Sequence, residues 1–149
     1  MTNKDYNDCV SKYSDDVYRF VVYSGMDKDS AKDIVQDAFV SLWQKHSEID
    51  VERSKSYLFS TAYNMVGSYF RHEKVVRQYA EGVVEETVTD MDRSYENKDY
   101  LYKALNNIPQ VQKSALVLKD IEGYSYKEIA EMLELTMQQV EVYIFRARV

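Results

Sequence analysis

The sequence predicts an all-α protein made of two small helical domains joined by a linker, the second of them a helix-turn-helix. Residues that break helices are few, since the 149 residues include one proline and four glycines, which disfavours a many-turned β protein. Apolar side chains recur every three or four residues along most of the chain, as they do on one face of a helix. One stretch, residues 81–99, lacks this period and separates the two predicted domains.

The composition is that of a globular protein from a reducing compartment. Hydrophobic residues make up 45% of the chain, enough to bury one ordinary core or two small ones. The single cysteine, Cys9, excludes an intrachain disulfide and a cage of several thiolates around a metal. No apolar run approaches the roughly 20 residues of a membrane span, and residues 1–10 lack the apolar segment of a signal peptide. We therefore expect a soluble, cytoplasmic protein.

Three helices are predicted in the first domain. Apolar side chains at helical spacing place them over about residues 4–23, 27–46 and 54–79. The second helix is predicted to begin around Asp27 to Ser30, where Ser30 and Asp33 have the spacing of a capping box.

The linker is acidic, and two more helices are predicted directly after it. Residues 81–99 contain seven acidic and two basic residues. A fourth helix is predicted over residues 101–108, and Pro109 suits the first turn of a fifth that ends at about Ile121, before Gly123. We expect two separate bodies on a tether, with segment boundaries at residues 1–80, 81–99 and 100–149.

The end of the chain has the spacing of a helix-turn-helix. Ser125 with Glu128, and Thr136 with Gln139, each form a capping-box pair, so two helix starts lie eleven residues apart. In a helix-turn-helix the second helix can read DNA, although an ordinary helical hairpin without a ligand has the same pattern. Glu134 occupies the bend, where a left-handed conformation costs a glutamate about 1 kcal/mol.

Positive charge is concentrated in the middle of a chain whose net charge is −6. The net charge argues against a nucleic-acid binder, but residues 51–80 contain five basic and two acidic residues. Tyr63 and Phe70 flank a polar stripe on the third helix and offer rings on which unpaired bases could stack. The polar and basic residues are Ser60, Asn64, Gly67, Arg71, Lys74 and Arg77. A solvated helix face with incidental aromatic residues is the alternative.

Three sequence motifs follow one another along the chain: "DIVQDAFVSLW" (residues 33–43), "SYLFSTAYNMVGSYFRHEK" (residues 56–74) and "IPQVQKSALVLKDIEGYSYKEIAEML" (residues 108–133). Together they resemble the motifs of bacterial RNA polymerase sigma factors of the extracytoplasmic-function (ECF) class, in the sigma-70 family. Their order and separations make the resemblance far more specific than any one motif would be.

The resemblance implies a protein that recruits core RNA polymerase to promoters, with no catalysis, cofactor, metal site or small-molecule substrate of its own. Its second helix would dock on the clamp helices of the largest polymerase subunit. The residues implied are Asp33, Gln36, Asp37 and Val40, which periodicity places on the side away from the apolar stripe. An anti-sigma factor, often membrane-linked in this class, is a further implied partner.

The same resemblance assigns two DNA surfaces. The third helix and the loop before it, about residues 47–55, would open the promoter's minus-ten element and hold a flipped base. The helix residues implied are Ser60, Tyr63, Asn64, Gly67, Phe70, Arg71, Lys74 and Arg77. The helix-turn-helix would lie in the major groove of the minus-thirty-five element. Its implied contacts are Ser125, Lys127, Thr136, Gln138, Gln139, Glu141, Tyr143 and Arg146.

The predicted recognition helix departs from the family pattern T-V-[KR]-S-R. This chain has Glu141 and Tyr143 in place of the two cations. Gln138 and Gln139 are the best candidates for reading bases, because a glutamine amide can pair bidentately with adenine. Two other functions stay open: a helix-turn-helix regulator that binds operator DNA without polymerase, and a sigma-like interaction module that reads no DNA.

Overall fold

The computed structural model describes residues 1–81 and 108–149, except the side chains of residues 77–81. All regular structure in this part of the chain is helical, as the sequence predicts. The helices are α1 (Asn3–Tyr23), α2 (Lys28–Gln44), α3 (Val51–Glu81), α4 (Gln110–Leu116) with a π-helical turn directly after it (Val117–Ile121), α5 (Tyr126–Leu133) and α6 (Met137–Arg148). Residue 81 of the predicted linker ends α3. Outside the described residues lie the rest of the linker, residues 101–107 of the predicted fourth helix and the Arg77 side chain. None of the helices described is long and apolar enough to cross a membrane.

The cap of α2 differs from the one predicted. Asp27 is the capping residue, and its carboxylate accepts a hydrogen bond from the Ser30 backbone N–H at 3.1 Å. The predicted box of Ser30 and Asp33 is therefore wrong, because Ser30 already lies inside the first turn. Hydrogen bonds with Ser30 lower the pKa of the Asp27 carboxyl, since they favour its charged form.

The long helix α3 begins at Val51, three residues before the predicted start. The buried Ser54 hydroxyl donates to the Val51 carbonyl at 2.6 Å and accepts from the Cys9 thiol at 3.2 Å. The loop before α3 is therefore residues 45–50, and the prediction of a loop over residues 47–55 is wrong at its second half. Lys55 lies on the helix instead.

The helix α4 ends as the sequence predicts, although with a wider last turn. Pro109 is the N-cap residue and directly precedes Gln110, the first residue of the helix, so it lies one position before the predicted first turn. The Glu122 N–H donates to the Val117 carbonyl, five residues back, at 3.0 Å, which is the π-helical pattern. Gly123 follows with a φ of 81°, a left-handed conformation that glycine adopts without steric cost.

The helix-turn-helix forms as predicted. Ser125 exchanges hydrogen bonds with Glu128 at 3.0 and 3.1 Å, and Thr136 does the same with Gln139 at 2.9 and 3.1 Å. Glu134 takes the left-handed conformation at the bend, with φ 59° and ψ 47°. The wedge between α5 and α6 is apolar and buried, and it contains Ile129, Leu133, Val140 and Ile144.

One continuous core joins the helices on the two sides of the linker. The helix α3 packs against α1 and α2 and also against α5. The buried Phe59 ring on α3 contacts Phe20 of α1 and Tyr124, just before α5, with ring centroids 5.5 and 5.4 Å apart in edge-on geometry. The two helical parts are thus packed together, where the sequence led us to expect separate bodies on a tether.

Candidate polymerase-binding and nucleic-acid surfaces

The helix α2 presents an acidic face to solvent. Asp33, Gln36, Asp37 and Val40 are all exposed, and we call these four residues the acidic face. The residues between them, Ile34, Val35, Ala38 and Phe39, are buried, because helical periodicity turns them towards α1 and α3. Val40 is 49% exposed, so the acidic face offers an apolar contact between carboxylates, suited to a partner that is both basic and apolar.

A groove of about 650 Å³ joins the acidic face to α3. Asp33 and Asp37 line one wall, and Asn64, Ser68 and His72 line the other. The structure thereby brings Asn64, predicted to contact promoter DNA, next to the residues predicted to contact polymerase.

Three residues of the polar stripe on α3 expose an amide or a cation. Asn64, Arg71 and Lys74 are exposed. The Arg71 guanidinium donates to the Ser68 hydroxyl at 3.1 Å, so Ser68 steadies it one turn away. These three side chains can offer hydrogen-bond donors and positive charge to a nucleic-acid strand.

Two side chains of α4, Gln110 and Lys113, approach the middle of the polar stripe. Gln110 lies against Gly67, which is buried, and donates from Nε2 to the Tyr63 carbonyl at 3.2 Å. A Cβ atom on Gly67 would lie 3.1 Å from the Gln110 Oε1 atom, so the glycine allows this close approach. The Lys113 ammonium lies 5.9 Å from the centroid of the Phe70 ring. Burial raises the pKa of Tyr63, as expected of a half-buried phenol.

The start of the polar stripe faces a second, acidic groove that the sequence did not reveal. Ser60 lines this groove of about 420 Å³ between the start of α3 and α5. The groove's carboxylates come from both parts of the chain: Glu48, Glu52, Glu131 and Glu134. A DNA phosphate would be repelled here, so Ser60 lies in a poorer place for promoter contact than Asn64 does.

The helix-turn-helix exposes nearly all of its predicted contact residues. Tyr143 is half-buried, and the exposed ones are Ser125, Lys127, Thr136, Gln138, Gln139, Glu141 and Arg146. A shallow groove of about 280 Å³ runs along α6 past Gln138, Gln139 and Arg146. Phe145 is 70% exposed, and Arg148 pairs with Asp120 at 2.5 Å. The surface of α6 is therefore amide and apolar, with less positive charge than DNA-reading helices usually have.

Within the described part of the chain, two ion pairs connect the helices before the linker to those after it, and sequence reasoning missed both. Arg19 on α1 donates to both Glu122 carboxylate oxygens, from Nε at 2.7 Å and from the second guanidinium nitrogen at 2.8 Å. This hydrogen bonding raises the pKa of Arg19. Lys55 on α3 pairs with Glu128 on α5 and lowers the pKa of that carboxyl. Because 103 residues separate Arg19 from Glu122, no local sequence signal predicts their contact.

The chain matches known protein families over both helical parts. The family model "Sigma-70 region 2" matches residues 9–75, and "Sigma-70, region 4" matches residues 98–149. One related protein is the ECF RNA polymerase sigma factor SigX of Bacillus subtilis (strain 168). It is 26% identical over 140 residues, which cover 87% of this chain and 72% of SigX. The ECF RNA polymerase sigma-E factor of Haemophilus influenzae is 26% identical over 160 residues, covering 97% of this chain and 84% of that protein.

Solved structures of similar proteins share the whole fold. The sigma factor RpoE of Bartonella quintana, in complex with the anti-sigma factor NepR, superposes with a TM-score of 0.78 at 26% identity, covering 97% of this chain and 92% of that one. CnrH, in complex with the cytosolic domain of CnrY, superposes with a TM-score of 0.75 at 22% identity, covering 99% of this chain and 84% of CnrH. The likeness to CnrH is one of fold alone.

Proposed function

We propose that this chain, which belongs to the ECF class of the sigma-70 family and is a sigma factor for transcription initiation, divides that function between its two helical parts. The part before the linker binds core RNA polymerase and opens the minus-ten element. The part after the linker binds the minus-thirty-five element as duplex DNA. The boundaries we propose are residues 1–80, 81–99 and 100–149.

The exposed acidic face is the observation that carries the polymerase-binding half of this proposal. Its two carboxylates, Asp33 and Asp37, are exposed on the same side of α2 as Val40. A net charge of −6 suits this role, because a protein that meets DNA as part of a larger complex needs less positive charge of its own. We propose the clamp helices of the largest polymerase subunit as the partner of this face.

The exposed polar residues of α3 support the promoter-opening role. Asn64 and Arg71 are exposed, and the half-buried Tyr63 and Phe70 supply aromatic rings nearby. Extruding a base costs a few kcal/mol, which stacking and edge hydrogen bonds recover. On α6, Gln138 and Gln139 are exposed amides that can pair with adenine in the major groove.

We further propose that the protein works in the cytoplasm, performs no catalysis and is held inactive by an anti-sigma factor. The support for such an inhibitor is the similarity to RpoE, which was solved in complex with one. Among the described residues, no cluster of three or more potential metal ligands occurs.

Reversing a charge on the acidic face tests the proposal. Asp37→Arg should cut retention by core polymerase at least about tenfold, because like charges across an interface cost several kcal/mol. Asp15→Arg makes the same change at an exposed residue of α1 and should leave retention unchanged. Affinity chromatography on immobilised core enzyme measures both. Retention of Asp37→Arg at the wild-type level would contradict the proposed docking face.

A further inference from the structure

The outward side of α6 is apolar where a DNA-reading helix is usually polar or basic. Val140 and Ile144 bury one side of α6 in the wedge with α5, so the side of Val142 and Phe145 faces solvent. Val142 is 45% exposed and Phe145 is 70% exposed. They lie three residues apart and are therefore neighbours on the helix surface. Adjacent apolar side chains that stay exposed are a candidate contact surface.

The capping box of α6 restricts what Gln139 offers to a base. The Gln139 Oε1 atom accepts the Thr136 backbone N–H at 2.9 Å, so this oxygen is directed at the helix start and the amide nitrogen is left to meet a ligand. Bidentate pairing with adenine needs a donor and an acceptor from the same amide. Gln138 is exposed and is not part of the capping box, so it suits adenine better than Gln139 does.

A hydrogen-bond donor and an apolar side chain share one groove on α6. Gln139 and Val142 are three residues apart, and both line the shallow groove of about 280 Å³. The major-groove edge of thymine carries the O4 acceptor next to the C5-methyl group, a combination that no other base of DNA has. A donor beside an apolar side chain is complementary to that edge.

We propose that α6 recognises thymine in the minus-thirty-five element: Gln139 donates to O4, and Val142 and Phe145 contact C5-methyl groups. This inference rests on the proposed function, because it assigns base specificity to the helix that meets the minus-thirty-five element. Methyl contact adds affinity without positive charge, which suits a helix that has Glu141 where the family pattern has a cation.

The spacing of Val142 and Phe145 fits neighbouring base pairs. Three residues of α-helix advance by about 4.5 Å, and successive base pairs lie about 3.4 Å apart along the duplex. A recognition helix lying in the major groove would therefore place the two side chains over adjacent pairs. We expect the element to contain adjacent A·T pairs at this position.

Replacing thymine by deoxyuridine tests the methyl contact, because it removes only the C5-methyl group and keeps O4 and base pairing. The probe is duplex DNA with the minus-thirty-five element of a promoter mapped by transcription-start sequencing, bound by the complex of this protein with core polymerase, the holoenzyme. Each A·T pair of the element is changed in turn. Uracil at each contacted position should weaken binding about fourfold, the effect of one buried methyl group, as measured by fluorescence anisotropy. Equal binding of all the uracil duplexes would overturn the methyl contact.

Alanine variants test whether α6 makes this contact. Val142→Ala and Phe145→Ala should each weaken binding of the thymine duplex and lose the sensitivity to uracil at one of the two positions. Val76→Ala removes the same atoms at a comparably exposed valine of α3 and should keep the wild-type sensitivity. Circular dichroism confirms that each variant is folded. Wild-type sensitivity in both α6 variants would overturn the assignment to Val142 and Phe145.

A change of base preference tests the role of Gln139. Gln139→Glu keeps the acceptor of the capping box but replaces the amide donor by a carboxylate, which accepts from the cytosine amino group. The variant should therefore prefer cytosine at the position where wild type prefers thymine. A preference for thymine that persists in Gln139→Glu would overturn the hydrogen bond to O4.

A scrambled duplex separates this inference from the proposed function. The holoenzyme should bind the native element more tightly than the scrambled one, and loss of that preference would count against the proposed function itself. Preference for the native element with equal affinity for its thymine and uracil forms would overturn only the thymine contact. The apolar side of α6 would then be a surface for a protein partner.

Discussion

At the scale of single residues, Glu141 is a carboxylate on the helix-turn-helix surface where the family pattern has a cation. It is exposed on α6, where a carboxylate repels phosphate. Glu141→Lys should tighten binding of the holoenzyme to duplex DNA that contains the minus-thirty-five element. It should also steepen the dependence of log K on log salt by about 0.9, the value of one added phosphate contact.

Fluorescence anisotropy at several salt concentrations measures this slope. Asp15→Lys provides the control, since it adds the same charge on α1 and should leave the slope unchanged. An unchanged slope for Glu141→Lys would place Glu141 away from the DNA surface.

Gly67 shows that the sequence does not identify which group contacts a given residue. Its place on the polar stripe suggests close approach by a nucleic-acid backbone, but the structure shows a group of this chain beside it. The group is the Gln110 side chain, which lies 43 residues away along the chain. Spacing along one helix cannot identify a contact from another helix, because such contacts depend on packing in three dimensions.

At the scale of elements, Glu134 joins the two helices of the helix-turn-helix in a strained conformation. Its φ of 59° is left-handed, which glycine adopts more readily than glutamate does. Glu134→Gly should therefore raise the free energy of unfolding, by about 0.5 kcal/mol once the greater freedom of glycine in the unfolded chain is counted.

Urea denaturation followed by circular dichroism measures this change. Glu131→Gly is the matched control, because Glu131 is exposed within the right-handed helix α5 and should lose about 1 kcal/mol. Destabilisation by both variants to the same extent would contradict the account of the bend.

The helices could be predicted where the residues that determine them are close together in the sequence. Both capping boxes of the helix-turn-helix involve residues three apart, and the helices α1 to α3 follow from apolar periodicity. The start of α2 was predicted closely, but its capping residue was predicted wrongly, because Asp27 and Ser30 both suit a helix cap. Only the backbone geometry shows that Asp27 accepts the hydrogen bond.

At the scale of the whole molecule, the two helical parts share a core and yet leave the acidic face exposed. The sequence correctly predicted that the residues of this face lie together on one side of α2, away from the core. It did not predict that Gln110 of α4 lies against Gly67, or that Arg19 meets Glu122. Those contacts join residues before the linker to residues after it, as does the packing of Phe59 between Phe20 and Tyr124.

Transcription reconstituted from purified components tests the central claim most directly. Core RNA polymerase is incubated with fragmented genomic DNA of the source bacterium, with and without this protein, and the 5′ ends of the transcripts are sequenced. We expect addition of the protein to produce discrete start sites preceded by a shared pair of elements at minus thirty-five and minus ten. Transcripts with the same 5′ ends in both reactions would contradict the assignment of this chain as a sigma factor that selects promoters.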